Sequence, residues 1–194
     1  MIGLVESPGG TPLYQLQITL KYSQPKIWRR ILVPADLKLD RLHLVVQAVM
    51  PWTNSHMHQF IVGRTCYGRP DPDFAGPDSQ TLNEKKFTVA DIAPAAKKKF
   101  IYEYDFGDGW EHEIVVEKIL PPDAGFKRVV CLAGENACPP DDCGGIPGYY
   151  QMLEIIADAK HPDHEHLKEW IGGEWDRARF DLDDASAALK KFKA

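Results

Sequence analysis

Phe100-Ile-Tyr-Glu-Tyr-Asp-Phe-Gly-Asp-Gly-Trp-Glu-His-Glu-Ile-Val-Val-Glu-Lys-Ile-Leu120 is the stretch that decides the fold. Phe100, Tyr102, Tyr104 and Phe106 alternate with Ile101, Glu103 and Asp105. After Gly107-Asp108-Gly109, Trp110, His112, Ile114 and Val116 alternate with Glu111, Glu113, Val115 and Glu117. A period of two marks strands with one buried face, and the Gly-Asp-Gly between them marks a hairpin turn. A three-residue turn keeps both aromatic rows on one face. It pairs Phe106 with Trp110, Tyr104 with His112 and Tyr102 with Ile114. A slip of one residue would set each aromatic side chain opposite an acid, so the pattern itself selects a register. The opposite face is then acidic, with Asp105 across from Glu111 and Glu103 across from Glu113.

Working outward, Tyr14, Leu16, Ile18 and Leu20 alternate with polar residues and predict a strand over 13–21. Ser23-Gln24-Pro25 reads as a turn, and residues 27–33 read as the second strand of another hairpin. Asp40 is placed to cap a helix running to about residue 50, with Leu42, Val45, Val46 and Val49 as its apolar stripe. A short strand is expected at 59–62 and a short helix at 88–93. Residues 63–80 hold three Gly, three Pro and three Asp with little periodicity and read as a long loop. Residues 121–147, rich in Pro, Gly and Cys, read as irregular. Helices follow at 148–159, 162–171 and 182–192. Strands gather early and helices late, so the expected fold is α+β: an antiparallel sheet of hairpins packed against a small set of helices concentrated in the C-terminal third. With no linker or repeat, one domain is expected over residues 1–194, with its core at about 13–190.

The 194 residues are 44% hydrophobic and 26% charged, a globular composition, and carry a net charge of −5. Non-specific nucleic-acid binders carry a basic stripe, which this balance argues against. No apolar run approaches the roughly 20 residues of a membrane span, and the first residues lack the basic-then-apolar order of a secretory signal. The expected compartment is the cytoplasm, where the four cysteines would be thiols or metal ligands before disulfides.

Several runs together resemble one family. They are Lys26-Ile-Trp-Arg-Arg, Leu42-His-Leu-Val-Val-Gln, Trp52-Thr-Asn-Ser-His, Tyr102-Glu-Tyr-Asp-Phe-Gly-Asp-Gly-Trp-Glu-His and Cys138-Pro-Pro-Asp-Asp-Cys-Gly-Gly, followed by Trp170-Ile-Gly and Phe180-Asp-Leu. In this order they resemble the plasmid pRiA4b ORF-3-like proteins from about residue 13 to 190. The resemblance implies an α+β domain and carries no reaction with it. It implies an association with mobile genetic elements, since some members are plasmid-encoded or travel with insertion elements. The resolvase-like label some members bear finds no serine in a recombinase context here and no basic recognition helix. Where the family often has Glu, this chain has Asp141, shorter in reach by one methylene.

Five groups of residues could carry chemistry. The acidic hairpin face suits Mg²⁺ or Mn²⁺, or a basic partner, but an outward solvated face explains it as simply. His56 and His58, two apart, could join Asp105, Asp108 and His112 in a metal or acid–base site. His112 faces the aromatic side, however, and also reads as a packed histidine bonded to a tyrosine or the backbone. Cys131, Cys138 and Cys143, with Asp142 as fourth ligand, could hold Zn²⁺, although the spacing lacks the usual Cys-x2-Cys and small buried thiols fit as well. Arg29 and Arg30 point to opposite faces of a strand, so one of them is expected to pair with the acidic hairpin. His161-Pro-Asp-His-Glu-His reads as a helix cap and an exposed first turn, and Trp170, Trp175 and Phe180 as core anchors.

Three functions fit these residues. The first is a non-enzymatic binding or accessory module with a protein or nucleic-acid partner. The second is a metal-dependent hydrolase, acting on nucleic acid or another substrate, which requires the histidines and hairpin acids to converge. The third is a zinc-stabilised structural domain, which requires the three cysteines to converge.

Overall fold

A computed structural model describes residues 10–70 and 81–193. Eight strands form one sheet in the order β5-β4-β3-β6-β7-β1-β2-β8. The strands are β1 (Leu13–Leu20), β2 (Trp28–Pro34), β3 (His58–Val62), β4 (Thr65–Gly68), β5 (Leu82–Asn83), β6 (Lys99–Tyr104), β7 (Trp110–Leu120) and β8 (Val130–Glu135). Neighbours run antiparallel except β4 and β5, which are parallel. The helices are α1 (Leu39–Val49), α2 (Val89–Ile92), α3 (Gly145–Ala157), α4 (His164–Ile171) and α5 (Leu182–Leu189). Three of the five lie at the C-terminal end, so the α+β expectation holds.

The expected strands at 13–21, 27–33 and 59–62 form within a residue of those limits. The sheet is wider than the sequence indicates. β4 lies inside the stretch read as a long loop, and residues 71–80 of that stretch lie outside the described residues. β8, in the stretch read as irregular, adds a strand beside β2. Both are short and contain glycine, so neither shows a clear period of two.

The β6–β7 hairpin corrects the expected register. Tyr104 pairs with Trp110, Tyr102 with His112 and Phe100 with Ile114, so the pairing is displaced by two residues with the same face buried. Asp105 is the cause. It leaves the strand in the left-handed region (φ 56°). Its Oδ1 accepts hydrogen bonds from the backbone N–H of Gly107 (2.9 Å) and Asp108 (3.4 Å). This is an Asx turn, which an aspartate tolerates better than most residues. The connection becomes five residues long, Asp105 is withdrawn from the acidic face, and Phe106 falls outside the aromatic row, 49% exposed.

Three of the remaining acids of the outer face are paired with basic side chains, and Glu103 is hydrogen-bonded by an amide. Glu117 accepts two bonds from Arg30 (2.6 and 2.7 Å) and one from Gln15 (2.7 Å). Glu111 pairs with Lys21, Glu113 with Lys99 at 2.8 Å, and Glu103 accepts from Gln59 at 2.6 Å. The expected split of the two arginines is observed. Arg29 is buried on the other face, donating to the carbonyls of Val49, Trp28 and Glu135 and lying over the Phe180 ring.

On the inner face, Leu16, Ile18, Ile31, Phe60, Tyr102, Trp110, Ile114 and Val116 are fully buried, together with the apolar stripe of α1. α1 starts two residues earlier than expected. Lys38 is its N-cap, and Asp40 lies in the first turn, where its charge complements the helix dipole. α2 begins as expected, with a capping box between Thr88 and Asp91. Asp163 precedes α4 but makes no side-chain cap. His164, expected to be exposed, is buried, with Nδ1 3.0 Å from the Ile155 carbonyl.

His112 is packed as expected, but the expected hydrogen bond is not made. Both ring nitrogens are buried without a partner among the described residues, and the ring meets Trp52 edge-on at 5.1 Å. Burial lowers its pKa to about 4. The folded protein therefore binds fewer protons than the unfolded chain between that value and the ordinary histidine value near 6.5. Stability contributed by the neutral ring is present above about pH 6.5 and is lost as pH falls toward 4. Thermal melts followed by circular dichroism should show this acid-side loss, and His112→Leu should make it smaller.

Candidate metal centre

Trp52-Thr-Asn-Ser-His leads from α1 into β3, and its side chains anchor a second loop. The Trp52 ring stacks on Tyr104 (5.2 Å between centroids), and its N–H donates to the Pro139 carbonyl at 2.9 Å. The same loop, residues 139–144, is fastened at its far end to the β6–β7 turn. Gly144 N–H donates to Asp108 Oδ2 at 3.0 Å. Gly145, at φ 67°, lies so close to the turn that a Cβ there would sit 2.2 Å from the Asp108 carbonyl oxygen. No side chain fits that gap, so glycine is required.

These fastenings converge four ligating groups. One ligand atom from each of His56, Asp105, Asp141 and Asp142 lies within 4.8 Å of the others. His56 Nε2 stands 2.7 Å from Asp142 Oδ1 and 3.6 Å from Asp105 Oδ2. Nevertheless, His56 Nε2 is buried without an aligned hydrogen-bond partner among the described residues, as is Asp141 Oδ1. Close approach without hydrogen-bond alignment is what adjacent ligands of one ion show, since donors about 2.1 Å from a metal are about 3 Å from each other.

The outer oxygens are held, which leaves the inner ones free. Asp141 Oδ2 accepts from Thr53 Oγ1 (2.6 Å), Thr53 N–H (3.2 Å) and the Tyr104 hydroxyl (3.1 Å). Burial and the neighbouring Asp141 carboxylate push the Tyr104 pKa up, so the phenol keeps its proton and donates it. Asp105 Oδ1 is held by the turn described above. Asp142 is 61% exposed at the side chain and sits at φ 60°, a second aspartate in the left-handed region. At a separation near 4.8 Å and a near-surface effective dielectric, two like charges repel by roughly 3 kcal/mol. A divalent cation removes that cost. Three carboxylates and one imidazole suit a hard-to-borderline ion such as Mn²⁺ or Zn²⁺.

Of the sequence candidates, the structure brings together His56, Asp105 and Asp142. His58 is directed elsewhere because β3 begins at His58, so the two histidines do not share strand geometry. His58 stacks on His43 (3.4 Å) and its Nε2 lies 2.8 Å from Glu84 Oε2. Asp108 fastens the loop instead of ligating, and His112 is in the core.

Cys131, Cys138 and Cys143 do not form a cluster with Asp142. Among the described residues, Asp142 joins His56 and two other aspartates instead. Burial raises all three thiol pKa values, that of Cys143 to about 12. Asp141 is the candidate ligand that sequence reasoning missed. The available signal was two adjacent aspartates between Pro-Pro and Gly-Gly, in a chain too constrained to swing away.

The model of the Plasmid pRiA4b ORF-3-like protein family matches residues 12–184. The chain belongs to that family. Its similarity to an uncharacterised protein, y4hQ of Sinorhizobium fredii, is 36% identity over 183 residues, covering 93% of this chain and 92% of that one. The crystal structure of a protein of unknown function, MM3350 from Methanosarcina mazei Go1, is similar with a TM-score of 0.80 and 35% identity, covering 90% of this chain and 98% of that chain. Among the described residues of this family member, no helix is long and apolar enough to cross a membrane.

Two substitutions test the geometry. Tyr104→Phe removes one of the bonds to Asp141 and should weaken Mn²⁺ affinity about ten- to a hundredfold, the usual cost of losing a ligand's supporting bond. A titration followed by electron paramagnetic resonance reads it. Gly145→Ala should separate the loop from the turn, lowering both melting temperature and metal affinity, whereas Gly172→Ala, where nothing lies within 4 Å of the added carbon, should leave metal affinity unchanged.

Proposed function

We propose that this protein is a metal-dependent hydrolase whose single divalent ion is held by His56 Nε2, Asp105 Oδ2, Asp141 Oδ1 and Asp142. The observation that carries this reading is the pair of buried ligand atoms, His56 Nε2 and Asp141 Oδ1, that face one another's carboxylate neighbours with no aligned hydrogen bond. Four protein ligands would leave two positions open on Mn²⁺, which takes six, but would close Zn²⁺, which usually takes four. Mn²⁺ held there would acidify a water in an open position and polarise a substrate oxygen. The exposed side chain of Asp142 leaves that side of the centre open to a substrate, while Thr53, Tyr104 and the Asp105 turn keep the other ligands from reorienting.

Nucleic acid is the less favoured substrate. The net charge of −5 offers little attraction to a polyanion, and the basic side chains of the outer face are occupied by Glu111, Glu113 and Glu117. A non-catalytic accessory module, in keeping with the mobile-element context of related proteins, would use the same centre as a staple.

Protein purified without chelator or metal-affinity resin should contain about one divalent transition ion per chain by elemental analysis, and EDTA should lower its melting temperature. His56→Ala and Asp141→Asn should lose the ion, while Cys138→Ser should retain it. The loaded protein should turn over at least one member of a panel of chromogenic esters, amides and phosphoesters, and Asp141→Asn should not. Failure to take up any ion would sink the reading. Uptake with no turnover across the panel would leave the staple.

A further inference from the structure

Asp142 belongs to two features at once. It is a ligand of the metal centre, and it forms one wall of a groove of about 380 Å³ that runs between α3 and α4. That volume is in the range of small-molecule sites. The groove is walled by Met152, Ile155, Leu167 and Trp170, with Asp163 as the other carboxylate and no lysine or arginine among its lining residues. Trp170, expected from the sequence to anchor the core, is instead 48% exposed along this groove. With Met152, Ile155 and Leu167 its indole makes a contiguous apolar wall in a groove that shares Asp142 with the metal centre. The lining also specifies charge. Two carboxylates against one histidine, His166, and no lysine or arginine disfavour phosphate or carboxylate groups and accept a neutral or positively charged one.

We infer that the groove takes the apolar side group of the substrate, so that the substrate class is a neutral or cationic ester or amide bearing an aromatic or branched aliphatic substituent. This rests on the metal-dependent reading above. The scissile group lies at the metal beside Asp142, and the substituent lies against Trp170 and Leu167. Met152 at the base supplies an adaptable surface, consistent with a class of side groups instead of a single one.

The test uses the Mn²⁺-loaded full chain and two hydroxamates that share one metal-binding head. Acetohydroxamate reports the metal alone, and 3-phenylpropanohydroxamate reports metal and groove together. Calorimetry should show the phenyl compound binding roughly tenfold tighter or more, the gain expected from burying one ring. Trp170→Ala and Leu167→Asp, each confirmed folded by circular dichroism, should abolish that gain and leave acetohydroxamate affinity within about twofold of the parent. Equal affinity of the two compounds for the parent protein, or a gain that survives both substitutions, would overturn the groove assignment while leaving the metal centre in place. Binding of neither compound to the loaded chain would show that the ion has no open position, overturning the hydrolase reading and the groove assignment with it. Displacement of the phenyl compound by a short single-stranded DNA oligonucleotide would overturn the assigned charge preference.

Discussion

A backbone contact between two loops is the constraint on which the site depends. Gly145 lies against the Asp108 carbonyl with no room for a side chain, and the Gly144 N–H closes the same junction through Asp108 Oδ2. Trp52 holds the other end of the loop at Pro139. Between these fixed points, Asp141 and Asp142 cannot move away from Asp105 and His56, although electrostatics would drive the carboxylates apart in the absence of a cation. The fold thus holds like charges at close range, with His56 Nε2 and Asp141 Oδ1 beside them lacking aligned hydrogen bonds. Such preorganisation favours ion binding because little reorganisation is needed at the moment of binding.

Two aspartates in the left-handed backbone region, Asp105 and Asp142, are part of the same arrangement. Each costs conformational energy that a strand or a regular turn would not, and such residues persist where surrounding structure over-determines them. At Asp105 the compensation is visible in the two backbone N–H groups that bind its outer oxygen. That bond both shapes the hairpin turn and aims the inner oxygen. One residue therefore sets the register of the central hairpin and contributes a carboxylate to the cluster with His56, Asp141 and Asp142.

The buried histidines show how differently one residue type is used in a single domain. His112 is held neutral by burial among aromatic rings, and burial likewise lowers the His43 pKa to about 3. His43 bridges Tyr102 and Asn54 at 2.8 and 2.6 Å. It therefore steadies the Trp52–His56 segment from behind without joining the cluster of His56 and the three aspartates. His56, with Nε2 free of any aligned partner, is the one histidine placed at the centre.

Much of this protein was legible in its sequence. The alternation in residues 100–120 established the buried face of the central hairpin, the opposed directions of Arg29 and Arg30 followed from strand geometry, and the apolar stripe of α1 followed from helix geometry. These are local patterns, and period is a local property of the chain. His56, Asp105 and Asp142 could be named as chemically capable residues for the same reason. Their partnership could not be read, nor the membership of Asp141, the exclusion of His58 and the cysteines, or the exposure of Trp170. Each depends on which loops meet across the molecule: on a five-residue turn formed where three residues were expected, on the residue at which β3 begins, and on two glycines that let one backbone lie against another. Spacing along the chain decides which face of a strand a side chain takes. Only the packing of distant loops decides which side chains share a cation.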